Sequence, residues 1–162
     1  MRHTRHFRDQ PVPLAVIDEM LAAGMAIGTV RLLVVDDLVT RKKLATFGSF
    51  SGTMAGAAVM VVVVRDKSLT VDDKSLGGRV CDAMMLVANR HGLGSGYGWF
   101  SGQEDQRAVR ELLAIPSGQR VLVAAGFGYI DDNPHPTDSS LTRVQAALAD
   151  LAGNRNRSSK DE

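Results

Sequence analysis

Residues 58–64 read AVMVVVV, an unbroken apolar run dominated by β-branched side chains. Branching at Cβ favours extended backbone, and a strand with no polar face cannot leave one side in water. The run therefore predicts a strand buried on both faces at the centre of a sheet. The whole apolar segment 55–64, interrupted by Gly56, is half the roughly 20 residues that a membrane-crossing helix needs.

The remaining patterns surround that strand with short strands and amphipathic helices. Pro13 suits a first helical position, and Val16, Ile17, Met20 and Leu21 form one stripe, predicting a helix over residues 13–25. Residues 31–35 (RLLVV) end at Asp36 and Asp37, a strand entering a turn, and a short helix is expected around residues 40–45. Residues 47–56 are rich in Gly, Ser and Thr without a period. Asp72 or Asp73 is placed to cap a long helix with the stripe Leu76, Val80, Ala83, Met84 and Val87, closed by Gly92. Ser101 and Glu104 have capping-box spacing before a helix carrying Val109, Leu112 and Leu113, which stops at Pro116. Residues 121–127 predict a second buried strand. Leu141, Val144, Leu148 and Leu151 mark a last helix before a polar tail over residues 153–162, expected to be disordered. Strict βαβ alternation is lacking, so the fold class is α+β: a small mixed or antiparallel sheet flanked by helices, one domain over residues 1–152.

With 19 basic and 18 acidic residues in a chain of 162, nothing electrostatic favours nucleic acid or an anionic membrane, and aromatic side chains for stacking on bases are sparse. A single cysteine, Cys81, excludes an intrachain disulfide; its apolar helical neighbours predict a packed thiol in a reducing, cytoplasmic setting. His3 and His6 lack a third ligand at matching distance, and His91 and His135 are isolated, so no metal site is expected. No nucleophile elbow, P-loop or Rossmann fingerprint is present. Two features remain open. The glycine run from Gly92 to Gly98 is either a backbone surface that a flat ligand approaches closely or a flexible turn between helices. The cluster Arg2, His3, Arg5, His6 and Arg8 is either a phosphate site or a solvated terminus.

Taken together, RHTRHFRDQPVPLAVIDEMLAA, GGRVCDAMMLVANRHGLGSGYGWFSG and VRELLAIPSGQRVLVAAGFGY, in that order, resemble the Arg-rich opening, the dimer helix with its glycine-rich segment, and the Ile-Pro-x-Gly turn with its Gly-Tyr strand of the nitroreductase family. The resemblance implies a homodimer with FMN as cofactor. Electrons would pass from NAD(P)H to a small-molecule acceptor, a nitroaromatic or quinone. Arg2, His3 and Arg5 would meet the FMN phosphate, and the backbone at Gly98, Trp99 and Phe100 would lie at the redox edge of the ring, with no catalytic side chain required. The sequence departs from the family pattern in three places. Residues 26–30 stand where the family carries a Pro-Ser-x-x-Asn-x-Gln-Pro-Trp type segment. Arg143 is the nearest candidate for the family's C-terminal basic pair, and Met1 stands where an additional arginine is common. A degenerate member, sequestering flavin or serving as a dimeric scaffold, is the alternative.

Overall fold

A computed structural model describes residues 6–49, 51–67 and 73–131 of the chain. The expectations for Arg2, His3, Arg5, Asp72 and Arg143, for the last helix and for the polar tail fall outside the described residues. Four antiparallel strands form one sheet in the order β1-β2-β4-β3: β1 Arg31–Val35, β2 Val59–Asp66, β3 Leu93–Gly98 and β4 Gln119–Tyr129. Helices α1 Leu14–Met25 and α3 Asp73–Arg90 contribute to the core on one face, and α2 Leu38–Leu44 and α4 Gln103–Leu112 to the core on the other.

The valine run is the middle of this arrangement, and its side chains divide by parity. Val59, Val61 and Val63 join Ile17, Met20, Val80 and Met84, whereas Met60, Val62 and Val64 join Leu44, Met54, Phe100 and Val109. All six residues from Val59 to Val64 are at most 2% exposed. Each such side chain stabilises the fold by roughly 1.5–3 kcal/mol, so the strand as a whole contributes on the order of a small domain's net stability. In β4 the parity breaks. Val63 pairs with Val123 and Val64 with Val121, so Leu122 is the extra residue of a bulge and faces the same core as Val123.

Small residues set how closely the layers approach. A Cβ on Gly24 of α1 would stand 3.0 Å from Met84 Cγ of α3, and one on Gly77 of α3 would stand 3.1 Å from Leu122 Cβ at the bulge. Met84 is thus fully buried inside this chain. Met84 packs α3 on α1. Exposed apolar surface on α3 belongs instead to Leu86, 58% accessible.

Several boundaries differ from expectation for local reasons. Pro13 has an extended ψ of 139° and precedes the first helical residue instead of being it. Asp37 caps α2, accepting a hydrogen bond from the Thr40 N–H at 2.7 Å, so that helix starts at Leu38. Ser101 does not cap α4. The N-cap is Gly102, without a side-chain cap hydrogen bond. Gly92 closes α3 with φ of +73°, as its position after the helix predicted.

His91, just past the end of α3, bonds Glu19 of α1 at 2.9 Å. The Glu19 carboxyl is held below its ordinary value, first by this hydrogen bond and further by the charges of His91 and Arg90. A depressed carboxylate contributes stability above its unfolded pKa and loses it as pH falls through the folded value. The His91→Ala variant is expected to return the Glu19 carboxyl toward its ordinary pKa, measured by carbon-detected NMR titration of the side chain.

Candidate functional site

The glycine run is a strand and not a turn between helices. Leu93 through Gly98 pair in register with Tyr129 through Ala124 of β4, because β4 is long enough to offer a full edge on the side away from β2. Beyond Gly98 the chain does not break free. Trp99 donates its N–H to the Ser49 carbonyl at 3.0 Å, and Ser49 donates back to the Trp99 carbonyl at 2.8 Å. Gly48 makes this bridge possible: its φ is +72°, and a Cβ there would stand 2.2 Å from the Trp99 carbonyl oxygen. The Trp99 ring is half-buried and meets Tyr97 edge to face at 5.7 Å.

Phe100 follows with its ring in the core, 2% exposed, so its side chain is packing and offers no stacking surface to a ligand. Its carbonyl accepts a hydrogen bond from Gln106 Nε2 of α4. The same amide group donates to the Val121 carbonyl at 2.6 Å, while Gln106 Oε1 accepts from the Val121 N–H at 3.1 Å. Gln106 thus engages both backbone groups of Val121 as a neighbouring strand would, beyond the last β3 pair, Gly98 with Ala124. Three contacts therefore hold residues 98–100 as a fixed backbone ledge. Within it the Trp99 N–H is spent on Ser49, and among the described residues nothing accepts the Phe100 N–H.

At the other end of β4, Phe7 bridges Ile130, Arg8 donates its N–H to the Tyr129 carbonyl at 2.8 Å, and Asp131 donates to the His6 carbonyl at 3.1 Å. Residues 6–8 thus continue the sheet beside β4 where β2 has ended at Val59. Gly128 provides the seat, since a Cβ there would stand 2.9 Å from the Phe7 ring and 3.1 Å from the Ala58 nitrogen. The described end of the basic opening is therefore anchored and not a loose terminus. Ala124 and Ile130 are six residues apart on an extended strand, about 20 Å at the usual rise. Only an elongated ligand, or one met by long side chains, reaches both ends.

A cavity of about 400 Å³ opens under the anchored segment, with Phe7, Arg8, Val12, Asp36 and Arg41 among its walls. The connection from α1 to β1 lends Thr29 and Val30 to a separate cavity of about 190 Å³ beside Arg65 and Gln119. Residues 26–30 turn directly onto α3, and a Cβ on Gly28 would stand 2.9 Å from Leu76 Cδ1. Cys81 is buried, and that burial, with the Asp82 charge behind it, pushes its thiol up to about 12; it is a neutral packing group at physiological pH. Among the described residues no cluster of three or more His, Cys, Asp or Glu could hold a metal, and no helix is long and apolar enough to cross a membrane.

Sequence reasoning named Gly98, Trp99 and Phe100, which the structure places consecutively on the ledge, but it missed Gly48, Ser49 and Gln106 that hold the ledge in place. The only signal for Gly48 was the aperiodic glycine-rich stretch around it. Gly48→Ala is expected to cost about 2–4 kcal/mol, from left-handed backbone and collision with the Trp99 carbonyl. Urea unfolding measures the loss; a change within about 0.5 kcal/mol would contradict the bridge.

No protein-family model matches the chain. Its fold is the nitroreductase fold. The chain superposes on an FMN-dependent nitroreductase from Clostridium difficile with TM-score 0.75 and 22% identity, covering 86% of this chain and 89% of that one. The NADPH:FMN oxidoreductase from Vibrio harveyi, solved with NAD+, gives TM-score 0.66 and 25% identity over 83% of this chain and 67% of that one. In sequence, it is 27% identical over 142 residues to an Archaeoglobus fulgidus protein named "Putative NADH dehydrogenase/NAD(P)H nitroreductase", covering 81% of this chain and 82% of that protein. The chain is thus similar in fold and in sequence to nitroreductases.

Proposed function

We propose that the protein is an FMN-dependent oxidoreductase of nitroreductase type. It would take electrons from NAD(P)H and pass them through FMN to a nitroaromatic, quinone or similar small acceptor in the cytoplasm. The observation that carries the reading is the fixed ledge at residues 98–100, whose Phe100 N–H has no acceptor among the described residues, set about 20 Å along β4 from an anchored basic segment. FMN has a matching shape, with a flat ring at one end and a phosphate at the other. FMN when bound supplies reversible two-electron chemistry.

In this reading each part of the chain has a separate task. Arg2, His3 and Arg5 hold the phosphate through charge-assisted hydrogen bonds. Gly98, Trp99 and Phe100 present backbone to the ring edge, and Phe100 rather than Trp99 supplies the amide donor, since the Trp99 N–H is bound to Ser49. The Gly48 and Gln106 contacts keep that donor from relaxing when a ligand leaves, which lowers the ordering cost of rebinding. The second reading, a nitroreductase-fold scaffold that has lost flavin or only sequesters it, is favoured by one observation, the short 26–30 connection folded onto Leu76.

Titration of the purified protein with FMN, following flavin fluorescence and melting temperature together, separates the two. The oxidoreductase reading expects saturable binding, a raised melting temperature, bleaching of bound flavin by NADH or NADPH, and at least about tenfold weaker binding in Arg2→Ala/Arg5→Ala. No binding at tens of micromolar FMN would leave the scaffold reading. Both readings propose a homodimer, with Leu86 in the interface. Leu86→Asp is expected to shift the mass measured by light scattering to that of a monomer without unfolding it, whereas Met84→Asp disrupts the core. A soluble dimer from Leu86→Asp would place the interface elsewhere.

A further inference from the structure

A concavity of about 800 Å³ lies between α4, the end of β2 and the start of β4, lined by Lys67, Ser101, Gln103, Glu104, Gln106, Arg107, Arg110 and Arg120. Gly98, Trp99 and Phe100 do not line it. Four of the eight lining residues are cations, and Glu104 is the only carboxylate among them. One wall is tied down: Lys67 Nζ donates to the Ser117 carbonyl at 2.7 Å, the Lys67 N–H to the Gly118 carbonyl at 2.9 Å, and Arg120 Nη2 to the Lys67 carbonyl at 3.1 Å. The opposite wall is the α4 surface. Arg107 and Arg110 are three residues apart there and so share a face. Arg107 has a loose exposed contact with Glu111 at 3.9 Å, which leaves its guanidinium fork largely available.

We infer that this concavity is a binding site for a phosphorylated small molecule. Cations gathered round one hollow repel one another, and a ligand with two or more negative charges relieves that repulsion at several of them at once. Guanidinium forks match phosphate oxygens in pairs, and the lysine adds a point charge. The volume lies within the range of small-molecule sites, while among the described residues no aromatic side chain lines it. Recognition therefore centres on phosphate groups and not on a stacked base. Gln106 links this site to the ledge, because it lines the concavity and also bonds the Phe100 carbonyl.

Isothermal titration of the full chain with 2′,5′-ADP and, separately, with inorganic pyrophosphate tests the site. At least one probe is expected to bind saturably, with an affinity that falls as salt is raised. Arg107→Gln/Arg110→Gln is expected to weaken binding at least about tenfold with an unchanged melting temperature, since both positions are on a helix surface and Gln is a good helix former. Glu104→Gln, which removes the opposing charge, is expected to tighten it. Equal binding of the two probes identifies phosphate alone as the recognised group, and tighter nucleotide binding adds contacts from the nucleoside; either supports the site. Absence of saturable binding for both probes, wild-type affinity in the double variant, or weaker binding in Glu104→Gln would overturn it. None of these outcomes depends on whether the protein binds FMN.

Discussion

Everything else in this protein depends on the burial of β2 from both sides. A strand of six consecutive residues at most 2% exposed cannot exist with one layer of helices missing, so α1 and α3 on one face and α2 with α4 on the other are conditions of its stability. The bulge at Leu122 follows from the same demand. By facing Leu122 and Val123 toward one core, β4 adjusts its twist between two layers of different shape, and Gly77 lets α3 approach at that point. The double-sided core then fixes β4 rigidly, and β4 positions both ends of the candidate site.

The site itself is made of backbone, and glycines are what allow backbone to be used. Gly48 admits the Trp99 carbonyl, and Gly128 admits Phe7. At neither position could a side chain be added without displacing a neighbour. The two contacts lie apart along the sheet, one beyond the Gly98–Ala124 pair and the other beside Tyr129 and Ile130. Gln106 plays a related part from a helix, its amide group standing in for the strand that β3 no longer provides beyond Gly98. Rigidity of this kind suits a site that orients a flat ligand through an amide donor and not through a reactive side chain.

How much of this was legible from sequence follows from the range of the interactions. Residues 58–64 announced a strand because burial acts on each side chain locally, and Gly92 marked the end of α3 because a left-handed position is a property of one residue. The segment 92–98 was open to misreading for the same reason: glycine-rich composition describes a loop, and only the paired edge of β4, some thirty residues downstream, makes it a strand. Ser101 and Glu104 had the spacing of a capping box, yet the chain reaches α4 through Gly102 because Phe100 is drawn into the core. The ties of Gly48 to Trp99 and of Gln106 to Val121 join residues distant in sequence, so no local pattern encodes them.

The shortened 26–30 connection has a thermodynamic consequence for any ligand that lies along β4. A ligand gripped along its whole length tolerates loss of one contact, because the remaining ones keep it in place. With the connection between α1 and β1 folded onto Leu76, the grip is divided between two ends about 20 Å apart, and each end raises the effective concentration of the ligand at the other. Weakening either end then costs more than its own contacts, since the far end loses the orientation that made its contacts productive. Rigid anchoring of both ends, Phe7 on Gly128 and Trp99 on Ser49, is what such an arrangement requires, because a two-point grip across a flexible span would lose its advantage to the entropy of the span itself.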